Sequence, residues 1–327
     1  NSRGMAHSTP FVVAVAVAAC RKDAPFDAPF HLEHAALMSV GGTGPSDVWV
    51  VGAQPSPTAE GTALHWNGAG WDAVNTGALH DLWWAHGFAG GPTFLAGGGA
   101  TVLRVEGGEV VRTPTPPFFG NTVYGVWGAA PDDVWAVGGF AGRAGFIWHW
   151  DGVAWEEEVL PDDLPRSVDG EIPSLFKVWG RSADDVWVVG GLGTVLHRAG
   201  GAWEVVASGT TEQLFTVSGD ADEVVVVGGS SAGILLRGGA EGFEEDTPTG
   251  APLLQALVVD EEGVIWTAGA TGYAVRQRPG RRWEAVDLGL AEVPQSIHAL
   301  WADGSGAVWA VPTGDRRAFL AGQCAGA

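Results

Sequence analysis

The chain has 327 residues, of which 38 are acidic and 17 are basic, so its formal net charge at pH 7 is −21. Nucleic acids and anionic lipid surfaces need basic patches, so this charge balance argues against both as partners. Two cysteines, Cys20 and Cys324, do not make a disulfide framework.

The first twenty residues differ in character from the rest. Residues 11–19 read FVVAVAVAA, which is too short to span a bilayer as a helix but is typical of the hydrophobic region of a signal peptide. Residues 17–20, Val-Ala-Ala-Cys, resemble a bacterial lipobox. That resemblance implies a signal peptide over 1–20, lipidation of Cys20, and a lipid-anchored protein of the bacterial cell envelope, at the outer membrane or cell surface. A cleaved secretory signal and a cytoplasmic chain are the alternatives, and an unmodified Cys20 would leave a bridge to Cys324 open.

A short tether follows the lipobox. Residues 21–35 are polar and broken by prolines, and residues 30–34 are a candidate closing strand for the domain that begins at residue 36 and runs to 327. The tether contains two histidines and a glutamate within residues 31–34. Without a third ligand we predict no metal site there.

One phrase, of the form DVWVVG, then recurs at intervals of 38 to 52 residues. A period near forty residues indicates an array of one supersecondary unit. The central residue of each copy is large and apolar. These residues are Trp49, Phe94, Trp135, Trp187, Val225, Trp266 and Trp309.

The fourth copy shows the whole unit. Residues 175–180 (LFKVWG), 186–191 (VWVVGG), 193–198 (GTVLHR) and 203–206 (WEVV) are short β-rich runs separated by Gly and Asp, which predicts four strands, a to d, in a meander. Seven such units predict an all-β fold, a single seven-bladed β-propeller of four-stranded antiparallel blades. Six or eight blades are the alternatives. Strand b tryptophans are expected to pack between blades. Strand a is predicted to end in Trp83, Trp127, Trp179 or Trp301, and Trp84 is then the one tryptophan without an assigned position in the repeat.

The repeats resemble known propeller repeats. The pattern VWG…DDVWAVGG…HWDG…W is similar to Trp-rich repeats of predicted secreted proteins and lipoproteins of myxobacteria. The D-x-x-G-x-x-W runs at 260–266 and 303–309 are similar to repeats of periplasmic two-component sensor propellers. The GG doublets are similar to Kelch repeats, although His197 or Arg237 stands where Kelch repeats place a Tyr. These resemblances imply a propeller fold and no particular activity.

Several motifs have a structural interpretation that outweighs a chemical one. Residues 229–233 fit G-x-S-x-G, but strands on both sides predict a hairpin. The glycines of 190–193 and 97–99 precede strands, so they predict tight hairpins and no phosphate loop. Acidic doublets such as Asp132-Asp133 are expected to cap turns and not to bind calcium. A basic residue recurs on strand c and is expected to pair with nearby carboxylates. We predict no cofactor and no metal.

A ligand site is predicted on one rim. Strand a lines the channel of a propeller, and its start lies on the rim formed by the d–a and b–c connections. The long connections 53–60, 112–121 and 156–173 lie on the same rim, where loops on a rigid scaffold commonly carry function. The candidate ligand-binding residues are His80, Asp81, Phe118, Phe119, Tyr124, Lys177 and His298.

The sequence therefore predicts a non-catalytic, surface-anchored monomer that acts as a binding or scaffold module for a protein or glycan ligand. Only two tyrosines, Tyr124 and Tyr273, are present, and no arginine triplet occurs at the starts of strand a. Sites like those of propeller sialidases or galactose oxidase are therefore not expected. The alternative is a degenerate glycan-active hydrolase or lyase at the channel mouth, using His80, Asp81 and His298.

Overall fold

The structure, a computed structural model, describes residues 32–33, 36–117, 120–288, 295–314, 317–318 and 321–324. The regular elements of these ranges are β-strands. Within them, no helix has the length and apolar character needed to cross a membrane. The signal-peptide and lipobox prediction, with Cys20, lies outside the described residues.

The strands form sheets in chain order after a first short strand, β1 (Leu32–Glu33). Blade 1 contains β2 (Leu37–Gly44), β3 (Asp47–Gly52), β4 (Thr62–Trp66) and β5 (Trp71–Ala73). Blade 2 contains β6 (Leu82–Gly87), β7 (Thr93–Gly97), β8 (Thr101–Glu106) and β9 (Glu109–Arg112). Blade 3 contains β10 (Thr122–Ala130), β11 (Asp133–Phe140), β12 (Arg143–Trp150) and β13 (Trp155–Glu157). Blade 4 contains β14 (Leu175–Ser182), β15 (Asp185–Gly190), β16 (Val195–Ala199) and β17 (Ala202–Val205).

The remaining strands complete the ring. Blade 5 contains β18 (Leu214–Gly219), β19 (Val224–Gly229), β20 (Gly233–Gly239) and β21 (Gly242–Glu245). Blade 6 contains β22 (Leu254–Val259), β23 (Ile265–Gly269), β24 (Ala274–Gln277) and β25 (Glu284–Ala285). The last sheet contains β26 (Ser296–Ala302), β27 (Ala307–Gly314), β28 (Arg317–Ala318) and β29 (Ala321–Cys324), together with β1. In blades 1 to 6 every strand pairs antiparallel with its sequence neighbour.

The prediction of seven four-stranded blades is wrong. Six sheets have that construction, and the seventh repeat forms a five-stranded sheet of a different kind. Strand β27 pairs with β26 on one side, whereas β28 and β29 share its other edge. No single third strand therefore forms there, and β1 adds to β28 from the other end of the described chain. This sheet lies between blade 6 and blade 1, where β26 contacts β22 and β2.

The repeated Trp, His and Asp form one local arrangement in blades 1, 3 and 4. The antiparallel register places the strand b Trp opposite a strand c His, and the two rings stack at 4.0 to 4.6 Å between centroids. The His ring then bonds the Asp that opens strand b. The bonded pairs are His65–Asp47 at 2.7 Å, His149–Asp133 at 2.6 Å and His197–Asp185 at 2.9 Å. The predicted pairing of strand c cations with carboxylates is confirmed at these positions.

The D-x-x-G-x-x-W runs have an equally local cause. Asp260 accepts hydrogen bonds from the backbone N–H groups of Glu262 and Val264, which fixes the turn, and from the indole N–H of Trp266 at 2.9 Å. Asp303 bonds Trp309 in the same way at 2.9 Å. Asp303 caps its turn, as predicted, and Asp260 does the same, and each also positions a tryptophan. In the doublet Asp132-Asp133, by contrast, Asp133 bonds His149.

The strand b tryptophans pack between blades, which confirms the packing prediction. Trp135 is buried with Leu175 and Val186 of blade 4. Trp187 is buried with Leu214 and Val226 of blade 5. Each blade thus supplies part of the core of the next.

Candidate functional site

A β-bulge recurs at the same position of every inner strand. The register between inner strand and strand b shifts by one residue directly after a fully buried Leu, Val or Ile. A bulge leaves its extra residue out of the ladder and redirects the side chain. The extra residues are Met38, Trp83, Tyr124, Phe176, Phe215, Gln255 and His298.

All seven extra residues line a single cavity of about 400 Å³ at the start of the inner strands, together with Trp84, Lys177 and Thr216. We call it the bulge cavity. It opens on the rim of the d–a and b–c connections, since Gly142, in the hairpin between β11 and β12, also lines it. Each bulge therefore directs one side chain of its inner strand toward the channel.

One wall of the bulge cavity is a continuous aromatic arc. Trp83 meets Tyr124 edge to face at 5.3 Å between ring centroids, Tyr124 meets Phe176 at 5.7 Å, and Phe176 meets Phe215 at 5.3 Å. Such an arc offers ring faces and edges on which a ligand's apolar or planar surface can pack.

The opposite wall is more polar. It consists of Gln255, His298 and Met38. Gln255 is held in place, because its side-chain oxygen accepts a hydrogen bond from Ser296 and its backbone carbonyl accepts one from Thr216 at 2.6 Å. Burial lowers the pKa of His298, which favours its uncharged ring. This wall presents neutral hydrogen-bonding groups.

The floor of the bulge cavity is formed by Trp84, Lys177 and Thr216, which each follow a bulge. Among the seven residues that follow the bulges, five are small, namely Ser39, Gly125, Thr216, Ala256 and Ala299, and two are large, Trp84 and Lys177. Gly125 lies between the large pair in blade order, and a Cβ there would stand 3.2 Å from the Lys177 Cα. Because this Cβ is missing, Lys177 of blade 4 approaches Trp84 of blade 2, with its Nζ 2.8 Å from the ring centroid.

Lys177 is buried and has no ionic partner among the described residues. Its side chain makes no ion pair or hydrogen bond with any of them, and 9% of the residue is exposed. Burial lowers the pKa of Lys177 well below its ordinary value of 10.5. A buried amine without a counter-ion is costly to keep charged, and the group that its Nζ contacts is the ring face of Trp84.

A second cavity of about 430 Å³ lies beyond the floor, toward the a–b hairpins. Its lining includes His86 and three acidic residues, Asp260, Glu261 and Glu262. Burial lowers the pKa of His86 to about 4; a backbone hydrogen bond with Gly128 opposes this in part, and the nearby charge of Lys177 lowers the pKa further. Among the described residues, Trp84 and Lys177 are the two that line both cavities.

The structure brings together three of the seven candidate residues, Tyr124, Lys177 and His298. His80 and Asp81 are not in the channel, because they precede β6, and the positions expected for them belong to Trp83 and Trp84. They line a separate cavity of about 750 Å³ with Gln54, Thr115 and residues 116–117. There the Asp81 carboxylate accepts a hydrogen bond from the Gln54 N–H at 2.8 Å. Phe118 and Phe119 lie outside the described residues.

The sequence reading missed Trp83 and Trp84, although a signal for them exists. In blades 1, 3, 4 and 6 and in the last sheet, the bulge residue stands eleven residues before the strand b aromatic. Counting eleven back from Phe94 reaches Trp83. The assignment of Trp83 to the end of strand a is therefore wrong, since His86 is the residue opposite Phe94.

Two kinds of catalytic site, a metal cluster and a nucleophile elbow, are absent from the described residues. They hold no cluster of three or more His, Cys, Asp or Glu side chains that could bind a metal ion. The G-x-S-x-G run at 229–233 joins β19 to β20 as a hairpin, so it lacks the strand-to-helix turn of a nucleophile elbow. The three residues of the enzymatic alternative are also divided, with His80 and Asp81 in one cavity and His298 in another.

No protein-family model matches the chain, and no curated protein sequence does. Solved β-propellers do match in structure. The WD40 propeller domain of Doa1 has a TM-score of 0.69 at 10% identity, covering 89% of this chain and 94% of that one. YCF48 from Cyanidioschyzon merolae has a TM-score of 0.66 at 15% identity, covering 88% and 95%. The WD40 repeats of RRP9 have a TM-score of 0.67 at 9% identity, covering 89% and 96%. The chain thus shares the propeller fold, as its repeats indicated, and identities this low carry no function.

Proposed function

We propose that this protein is a non-catalytic binding module whose protein or glycan ligand enters the bulge cavity. The observation that carries the proposal is the convergence of all seven bulge residues on that cavity. The register shift occurs in every inner strand and places a large or polar residue at each bulge. Together these residues form a concave site whose wall is mostly apolar, with few polar groups. That combination is typical of ligand sites.

The chemistry of the walls supports a ligand with a flat or apolar part and a polar edge. The aromatic arc of Trp83, Tyr124, Phe176 and Phe215 provides packing surface. Gln255 and His298 provide neutral hydrogen-bonding groups on the facing wall. A sugar ring and an inserted aromatic or aliphatic side chain of a protein partner both satisfy these requirements.

We also propose that the module is displayed at the bacterial cell envelope through a lipid on Cys20. The support is the apolar run of residues 11–19 followed directly by the lipobox-like sequence. Replacing Cys20 with Ser should abolish fatty-acid labelling and release the protein from membranes. Unchanged membrane association of the variant would remove that support.

The ligand is to be sought with the full chain on a glycan array and a peptide library. Trp83→Ala and Phe176→Ala should then weaken binding of the ligand about tenfold or more, because buried aromatic anchors dominate binding energy. The matched controls are Asp132→Asn and Asp184→Asn, exposed residues on the opposite rim, which should bind like the parent. Equal binding by parent and both aromatic variants, or loss confined to the two Asp variants, would refute the site.

A further inference from the structure

The chain uses lysine almost nowhere. Of its 17 basic residues, 15 are Arg and two are Lys, namely Lys22 in the predicted tether and Lys177 on the floor of the bulge cavity. Arginine stays charged in proteins, whereas a buried lysine readily loses its proton and becomes a nucleophile. The one lysine of the described residues thus occupies the position where loss of the proton has a chemical use.

The surroundings of Lys177 fit that use. Its Nζ packs against one face of Trp84, and the side chain borders a cavity on either side. None of the described carboxylates pairs with it, so the ring face of Trp84 is the described group that the ammonium form contacts. A ring face stabilises a cation modestly, whereas burying a charge without a counter-ion costs more. A packing role alone would be met by Met or Leu, and a permanent cation by Arg.

The titratable groups around it do not restore the charge. On the bulge-cavity side they are Tyr124 and His298, and burial lowers the pKa of His298. On the other side they are His86 and the acidic trio of residues 260–262, which lines the far cavity without bonding the amine. Burial without a carboxylate partner lowers the pKa of Lys177.

We propose that Lys177 captures an aldehyde or ketone with an aromatic or apolar body as a reversible imine. The inference rests on the proposed function, because the carbonyl compound enters through the same bulge cavity and packs its body against the aromatic arc. The carbonyl carbon then meets the amine on the floor.

The reaction balances without an oxidant or reductant. The lone pair of Nζ attacks the carbonyl carbon, a C–N bond forms, and the C=O π bond breaks. The oxygen takes a proton as the nitrogen loses one, which gives a carbinolamine. The oxygen then leaves as water with the second nitrogen proton, and C=N forms. Amine and carbonyl compound become imine and water, and hydrolysis reverses the step.

The scarcity of lysine makes the test direct. The full chain is incubated with benzaldehyde and sodium cyanoborohydride near neutral pH, so that any imine is reduced to a stable benzylamine. Intact mass and peptide mapping then locate the added benzyl group. We expect Lys177 to be labelled at least about tenfold faster than Lys22, since each unit of lowered pKa raises the fraction of free amine about tenfold.

Two controls tie the labelling to the folded site. A Lys177→Met variant should retain only the slow labelling of Lys22 and of the N-terminal amine. In the urea-denatured parent, Lys22 and Lys177 should be labelled at equal rates. Formaldehyde serves as a smaller probe of the same amine.

The proposal is overturned if Lys177 is labelled no faster than Lys22 in the folded chain. The proposal is also overturned if the pH dependence of Lys177 labelling has its midpoint near 10.5, the ordinary pKa of a lysine. Labelling of Lys177 by formaldehyde but not by benzaldehyde would overturn it as well. The proposed function fails separately. If Trp83→Ala abolishes binding of an array ligand while Lys177 stays unlabelled, the binding site stands and the imine falls. If Lys177 is labelled while the aromatic variants leave binding of the array ligand unchanged, imine formation stands and the proposed binding site falls.

Discussion

Replacing Trp187 with Ala should destabilise the propeller severely. The side chain is 1% exposed, stacks on His197 at 4.0 Å and meets Phe243 at 6.0 Å. Its indole N–H donates to Asp185 at 2.8 Å. Truncating a buried Trp to Ala costs about 3–5 kcal/mol. For a domain of this size each kcal/mol lowers the melting temperature by about 2–4 °C, so we expect a fall of about 6–20 °C.

Calorimetry and urea unfolding of parent and variant would measure this effect. Trp187→Phe is the matched control, since it keeps a stacked ring on His197 but loses the indole hydrogen bond, and it should lie between the parent and Trp187→Ala. Val168→Ala, at a fully exposed position, should leave the melting temperature unchanged. If Trp187→Ala melts within about 2 °C of the parent, the interblade role of the strand b tryptophans is wrong.

Three further substitutions test the channel and its electrostatics. Gly125→Ala places a Cβ 3.2 Å from the Lys177 Cα, so it should lower the melting temperature and slow benzaldehyde labelling of Lys177, and unchanged values of both would contradict the floor geometry. Folding lowers the pKa of His86 from 6.5 to about 4, so as the pH falls the unfolded chain binds the proton first, and the free energy of unfolding should decrease between these two pH values. His86→Gln should reduce this decrease in urea titrations. An equal pH dependence in parent and variant would reject the burial of a neutral ring. Burial alone would raise the pKa of Asp185, but hydrogen bonds from Arg181, His197 and Trp187 lower it from 3.8, so its stabilisation is present above that value and is lost as the pH falls through the lower folded pKa. Asp185→Asn should be less stable at neutral pH and lose less on acidification, and a variant that matches the parent in both would show that the network contributes nothing.

Local pairing explains why most of the fold was predictable from the sequence. Strands b and c are sequence neighbours that pair antiparallel, so the Trp of one faces the His of the other, and both residues lie within some twenty residues of chain. The last sheet follows another rule. Its strand b slot at Trp309 is regular, but its outer strands depend on the pairing of residues 32–33 with 317–318. Contacts between distant parts of the chain leave no periodic trace, so the sequence counted a seventh regular blade.

The candidate site was half predictable for a related reason. Tyr124, Lys177 and His298 were found because blades 3 and 4 and the last repeat align without gaps. Blade 2 was misaligned by three residues, since the doublet Trp83-Trp84 resembled the tryptophan at the end of other inner strands. The end of that strand is in fact His86, opposite Phe94. A register counted back from strand b is reliable because the antiparallel ladder fixes it, whereas the residue types at the start of strand a differ from blade to blade.

The repeated bulge separates stability from binding in this propeller. The residue before each bulge is fully buried between blades, and the bulge residue itself faces the channel. Substitutions at the seven bulge positions should therefore alter the proposed ligand surface while the interblade core stays packed. Trp84 and Lys177 depart from that separation, because they fill a level of the channel where the other inner strands carry small residues. A buried amine without a counter-ion at that level lowers stability, and the proposed capture of a carbonyl compound would give Lys177 a use that offsets this cost.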